Sequence, residues 1–535
     1  MPEFQRIGYA MQNKKHRILT MLAAIVLGGL FIFHFGTFVD RAQPALIDDH
    51  DILMPLGIEG QPTAPLRDIW ADLTNTDEYR EIAQTGKSGR FRPAYYPLRA
   101  IETYLWGANI RLWSIARFGL YASTTVVIFS LFLRTFGLAS GLVFVAFYLG
   151  HKSWADIFPR LGPVEIQCVL VGTLLVWLLW RWIEKGRSFA LYFAIPTALL
   201  FGAMKEPDPL LLIASGGLLL VCGFLSETKR MVSGGAILLA SGAVVFVIFL
   251  RITLGATSTG IVSPSGPWKS YLEHRGEDAL SWVVLVPVLV VGLAMVARAL
   301  NRFKMSWGEL LALLLALLSI EVMRLALYYI SFSMTFDGYN DAIGMRYGYP
   351  LALMQSLVAA VVLGRLATGG GEAFVSRTSR TVALCCFLAV LILNHGLFSP
   401  YLLRNRDWWL KFNTDTSTAI TEAARLLAEA RRENKNPVLI ATGPSLEYEP
   451  KLSLILFLKR KMPDTVVYFD PDEKTINAEA YRAKSIEWGG TPLSPEVRAS
   501  LAERGCVDVH IDDREYSNPS CKVLNILNIA SRPAP

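Results

Sequence analysis

Residues 209–250 read PLLLIASGGLLLVCGFLSETKRMVSGGAILLASGAVVFVIFL. Two apolar runs, 209–225 and 233–250, flank a polar break that holds Lys229 and Arg230. A helix needs about 20 apolar residues to cross about 30 Å of hydrocarbon. Each run comes close to that length without a charged residue, so the pair reads as a transmembrane hairpin.

Runs of the same kind lie on both sides of the hairpin. They centre on 18–38, 112–133, 136–150, 162–181, 188–203, 279–299, 307–330, 347–364 and 381–398. The full set predicts about eleven spans, of which 136–150 and 188–203, interrupted by Pro196, are the shortest. Composition agrees: 53% of residues are hydrophobic and 18% charged, against about a quarter charged in soluble domains. The first run is followed by Phe38-Val39-Asp40-Arg41 rather than a small-residue cleavage site, so no cleavable signal peptide is expected.

Lys and Arg orient the spans. Lys14, Lys15 and Arg17 precede the first run. Alternate loops carry Arg134; Arg181, Lys185 and Arg187; Lys229 and Arg230; Arg298, Arg302 and Lys304; and Arg365, Arg377 and Arg380. With eleven spans all of these are cytoplasmic, as is the N-terminus, and residues 399–535 lie outside. The net charge of +7 follows partly from that bias and carries no nucleic-acid signal. The predicted architecture is an α-helical polytopic membrane domain, 1–398, with long external loops at 39–111 and 251–278. A small extracytoplasmic α/β domain, 399–535, follows it.

Long ordered loops usually carry function. The first opens with Ile47-Asp48-Asp49-His50-Asp51, a dense acidic cluster that reads as a general base, a metal site or a solvated loop. It ends with Gly89-Arg90-Phe91-Arg92-Pro93-Ala94-Tyr95-Tyr96 and an apolar stretch containing Glu102, Tyr104 and Trp106. That pattern suits either an anionic lipid headgroup or an interfacial helix with an aromatic belt. Arg160 and Glu165 flank Leu-Gly-Pro at the start of the fourth span, and Lys205-Glu206-Pro207-Asp208-Pro209 lies between the fifth and sixth. Arg346-Tyr347 ends the last external loop. Each element also reads as a plain turn or a snorkelling side chain; the argument for function is that all fall on one face.

These elements together resemble the GT-C superfamily of membrane glycosyltransferases, which use polyprenyl-phosphate sugars and have a mannosyltransferase or aminoarabinose-transferase-like layout. The resemblance covers most of residues 18–365. It rests on the long first loop beginning with Asp48-Asp49, the second loop at 251–278, Lys205-Glu206 and Arg346-Tyr347. It implies transfer of a sugar from a polyprenyl phosphate to a glycan or lipid acceptor on the non-cytoplasmic face of a bacterial inner membrane. By resemblance Asp49, with Asp48 as the alternate, is the base. Lys205, Arg346 and Arg92 hold the phosphate, with Arg160 and Tyr347 beside them, and Glu206 orients Lys205 or contacts the sugar. A carboxylate can deprotonate the acceptor hydroxyl, and cations can stabilise the departing phosphate. The resemblance leaves a divalent metal at the acidic cluster open, since some members of the superfamily need none. A lipid-linked-sugar transporter or flippase and a scaffold displaying the tail are the competing classes.

In the tail, 417–433 has helical periodicity. Residues 437–442, 465–469 and 507–511 read as strands, with helices at 447–461 and 495–504, so a small parallel sheet is expected. Ala441-Thr442-Gly443-Pro444 reads as a ligand-binding strand-to-helix loop or a structural turn. It lacks the Rossmann glycine fingerprint and the P-loop lysine. Cys168, Cys222, Cys385 and Cys386 fall in predicted spans as packing residues. Cys506 and Cys521 are the pair expected to bond, in the extracytoplasmic domain.

Overall fold

The computed structural model describes residues 65–74, 82–88, 90–135, 137–149, 153–253, 400–443, 448–470, 478–511 and 521–526, parts of 18–52, and a few positions between 349 and 356. Asp48, Arg346, Tyr347, Cys385, Cys386, the loop 251–278 beyond residue 253, and the predicted spans 279–299, 307–330 and 381–398 lie outside the described residues, as does most of 347–364.

The described N-terminal part is helical. After α1 (Leu66–Thr74) come α2 (Tyr95–Trp106), α3 (Ile110–Thr135), α4 (Leu138–Leu149) and the single turn α5 (Trp154–Ile157). Then follow α6 (Glu165–Lys185), α7 (Ser188–Gly202), α8 (Asp208–Leu225) and α9 (Lys229–Thr253). Four of these, α3, α6, α8 and α9, are long and apolar enough to cross a membrane. α7 is also apolar but shorter, at 15 residues. Their outer faces expose large apolar side chains: Phe193 is 62% exposed and Val247 63%. Contiguous apolar surface of this kind suits a lipid solvent.

Gly216, Gly223, Gly235 and Gly242 let α8 and α9 pack backbone to backbone. A Cβ at Gly235 would lie 2.6 Å from the Leu220 nitrogen and 2.8 Å from the Gly216 oxygen. A Cβ at Gly216 would lie 2.5 Å from the Leu239 nitrogen. Close approach through small residues replaces the hydrophobic drive that water cannot supply between helices in lipid. α2 is amphipathic instead. Tyr95, Tyr96, Arg99, Ala100 and Thr103 are buried, while Ile101, Tyr104 and Leu105 are exposed.

The C-terminal part begins with α10 (Pro400–Arg432), a helix of 33 residues, about 50 Å long. It starts well before the periodicity at 417–433, because its first half packs on the helical bundle through aromatic residues rather than on the sheet. Then come β1 (Val438–Thr442), α11 (Tyr448–Lys461), β2 (Val467–Phe469), α12 (Ala478–Glu487) and β3 (Gly490–Pro492). The chain continues through α13 (Pro495–Arg504), β4 (Cys506–Ile511) and β5 (Cys521–Ile526). The sheet is parallel throughout, in the order β3-β2-β1-β4-β5. Leu439, Ala441, Val507, Val509 and Ile511 face one core. Val438, Ile440, Leu501 and Cys506 face the other. Cys506 and Cys521 are register partners at the start of β4 and β5 and are joined by a disulfide.

Candidate functional site

The turn between α4 and α6 is where backbone leaves the helical ladder inside the bundle. Residues 157–163 include Pro159, Gly162 and Pro163, which prevent a continuous helix. Buried carbonyls and amides there need partners, and side chains supply them. The Arg117 guanidinium donates to the carbonyls of Leu161 (2.6 Å), Pro163 (3.1 Å) and Ile157 (3.2 Å). Arg99 donates to Gly162 (2.7 Å) and Pro163 (2.9 Å), and pairs with Glu102 at 2.8 Å. Glu102 in turn accepts from Gln167.

The amides of the same segment are held by the first loop. Asp49 is fully buried. Its Oδ1 accepts from the backbone N–H groups of Leu161 (2.5 Å) and Gly162 (2.9 Å), and its Oδ2 from Ala45 (2.7 Å). A carboxylate has about four acceptor positions, so at least three are spent on backbone. Under the turn lies an aromatic bed. The Tyr121 ring is 4.4 Å from Trp154 and 5.1 Å from Phe158, and Phe35, from the apolar run 18–38, is 4.5 Å from Phe158.

The C-terminal helix closes the other side. Arg160 is buried, pairs with Asp156 at 2.6 Å and lies 5.1 Å over the Trp409 ring. Asn413 donates to the Pro159 carbonyl at 3.1 Å. Three distant parts of the chain, the first loop, α2–α3 and α10, therefore meet on seven residues of turn.

Two residues beyond it begins α6, with Glu165 in its first turn. Glu165 is ion-paired with Lys205, which comes from the turn between α7 and α8; both side chains are buried. Lys205 also sits 5.6 Å over the Tyr349 ring. The Tyr349 hydroxyl donates to Asp208, the first residue of α8. Acids at helix N-termini complement the positive end of the helix dipole, so Glu165 and Asp208 are placed where the fold favours their charge. Cys168 is buried beside this cluster, and Glu206 is 7% exposed. The groups fall at one end of the bundle. Ala94 donates to the Ala203 carbonyl at 3.0 Å, and Ser88 to Ile252 at 3.1 Å.

Of the residues singled out from sequence, Asp49 and Arg160 belong to the turn, while Lys205 and Glu206 belong to the neighbouring turn. Arg92 stacks over Tyr95 at 4.7 Å, at the start of α2. Arg99, Arg117 and Tyr349 were not singled out. Arg117 had a signal: it is a cation inside the predicted span 112–133, and a charge there is expensive unless it has a task. Among the described residues no group of three or more His, Cys, Asp or Glu side chains could hold a metal ion.

Fold and site define a mostly helical chain. It has helices long and apolar enough to span a membrane, a buried polar cluster at one end of them, and a small parallel-sheet unit near the C-terminus. In comparison with known proteins, it matches no family model and no curated sequence.

Proposed function

We propose that the chain is a GT-C-like glycosyltransferase with about eleven spans. It moves a sugar from a polyprenyl phosphate to a glycan or lipid acceptor on the non-cytoplasmic face of a bacterial inner membrane. The observation that carries this reading is that Asp49, a buried first-loop carboxylate, is held on the turn that leads into Glu165, whose side chain pairs with buried Lys205. A lipid-phosphate donor needs a cation at the departing phosphate and a carboxylate at the attacking hydroxyl, held in line. Lys205 supplies the first, with Arg346 and Arg92 in support, and Glu165 and Tyr349 fix its ammonium. Lipid can reach such a site sideways, along exposed apolar faces such as that of α7.

Asp49 takes the role of base in this reading, with Asp48 as its alternate. A rival carboxylate is favoured by one specific observation. Asp208 lies beside Lys205 and Tyr349, whereas Asp49 accepts from two amides of the turn and from Ala45. In a transport mechanism the same residues would bind the lipid-linked sugar without consuming it. Purified protein in nanodiscs, given a polyprenyl-phosphate sugar and membrane glycolipid extract, should release free polyprenyl phosphate. Lys205→Met should reduce that release by about 10²-fold or more, the scale of one lost oxyanion-type contact. Uptake of the intact lipid-linked sugar into vesicles, without cleavage, would replace the transferase reading by the transporter one.

A further inference from the structure

The sheet order β3-β2-β1-β4-β5 has a consequence for the loop Ala441-Thr442-Gly443. From β1 the chain winds one way through β2 to β3, and from β4 it winds the other way to β5. The reversal lies between β1 and β4. In open parallel sheets the crevice at the carboxyl ends of the two strands flanking that reversal is where ligands bind.

Polarity is concentrated there. At the amino end of these two strands the shared face carries Val438, Ile440 and Cys506. Toward the carboxyl end it carries Thr442, Asp508 and His510, with Thr442 and His510 in register. All three are buried, at 8%, 1% and 7% exposure. Thr442 Oγ1 is 2.7 Å from Asp508 Oδ1 and 2.7 Å from His510 Nδ1. A hydroxyl has one proton. If it donates to the carboxylate, it accepts from Nδ1–H, which leaves Nε2 as the acceptor nitrogen of the ring. On the other side of the β1 tip stands Lys451, fully buried in the first turn of α11. A Cβ on Gly443 would lie 2.9 Å from the Lys451 Cγ, so the glycine lets the lysine stem lie against the strand end. The ammonium is 4.7 Å over the Tyr481 ring. A cation in the first turn of a helix opposes the helix dipole, and apolar residues would fill these positions at lower cost. The polar set is confined to the ligand-binding end of the two central strands.

We propose that the carboxyl ends of β1 and β4 form a second site, separate from the one in the bundle, for a small hydroxylated anion. Lys451 takes the anionic group, and Asp508 with His510 takes hydroxyls. A monosaccharide with one anionic substituent combines these two requirements. A phosphate or a carboxylate would satisfy the same lysine.

Full-length protein in nanodiscs is titrated calorimetrically with glucose 1-phosphate, glucuronate, inorganic phosphate and glucose. The proposal expects saturable binding of glucose 1-phosphate, glucuronate or both, more tightly than inorganic phosphate or glucose. Binding of only one identifies the anion. Lys451→Met and Asp508→Asn should each weaken it about tenfold to hundredfold, the scale of a lost charge-assisted hydrogen bond. Hydrogen exchange on the unaltered protein serves if a variant does not fold, and bound ligand should slow exchange at 438–443 and 448–452. Absence of binding by both anionic sugars overturns the proposal. So does binding that survives both substitutions, or protection that appears only in the bundle.

Discussion

The turn at 157–163 and the five-stranded sheet both bury backbone, and they satisfy it by different means. In the sheet, strands pair with strands, and side chains are left over for packing on two faces. Among the described residues of the bundle there is no strand to pair with. Arg99, Arg117 and Asn413 serve the carbonyls, and Asp49 serves the amides. Irregular backbone at membrane depth is tolerated only when protein groups satisfy it. Buried charge in the bundle is therefore partly structural, and a carboxylate there is a candidate base only once its structural bonds have been counted.

The sharpest way to break the comparison is Arg117→Met. It keeps the apolar stem and removes three bonds from the turn. Removing one partner from a buried charged network costs about 3–5 kcal/mol. The expected result is a large fall in thermal stability in detergent and loss of exchange protection at 157–163. A loss below about 1 kcal/mol would mean the turn is held by packing alone.

In the sheet the corresponding constraint is covalent. Replacing Cys506 and Cys521 together with Ala removes a crosslink spanning 15 residues, about 3 kcal/mol in the chain-entropy account. The loss should be confined to the C-terminal unit, with exchange in α8 and α9 unchanged. Spread of the effect into the bundle would show that α10 couples the two regions more tightly than its contacts with 156–160 suggest.

The smallest expected effect lies on α10. Burial raises the Asp415 carboxyl above its usual range, with Lys411 pulling the other way. The folded chain therefore holds that proton more tightly than the unfolded chain. The associated loss of stability is absent below the unfolded value, about pH 4, and sets in as pH rises through the folded one. Asp415→Asn should stabilise the protein slightly at pH 7, by less than about 0.5 kcal/mol after allowance for solvent screening. The gain should vanish in melts below pH 4. Destabilisation at pH 7 would mean the Lys411 attraction outweighs burial.

Legibility from sequence differed between the regions for physical reasons. Apolar runs mark spans directly, so 112–133, 209–225 and 233–250 fall within α3, α8 and α9. The strand and helix periods in the tail placed β1, β4, α11 and α13 within a residue or two. β3 and β5 were not foreseen. Gly490–Pro492 is three residues with no periodicity, and Cys521–Ile526 carries Lys522 and Asn525 on a half-exposed edge. The first half of α10 escaped because its partners are Arg160 and Pro159, about 250 residues away. The same reason hid Tyr349, whose contact with Asp208 no local pattern signals. Lys205 stood out because a Lys-Glu-Pro-Asp-Pro turn at a membrane boundary is costly to bury without partners; its pairing with Glu165 could not be read from spacing.

The central claim, that this end of the bundle performs acid–base chemistry on a lipid-phosphate donor, is tested most directly by Asp49→Asn and Asp208→Asn. Both are measured for polyprenyl-phosphate-sugar turnover and for thermal unfolding in the same nanodiscs. An amide keeps the shape and removes the basicity. The account predicts that one of the two lowers turnover by about 10²-fold or more at a melting temperature near that of the unaltered protein. Asp49→Asn does so if the first-loop carboxylate is the base. If Asp208→Asn does so instead, the base passes to the α8 carboxylate and Asp49 is left as a clasp. Turnover that stays within a few-fold of the unaltered protein in both variants, with both folded, would contradict the account.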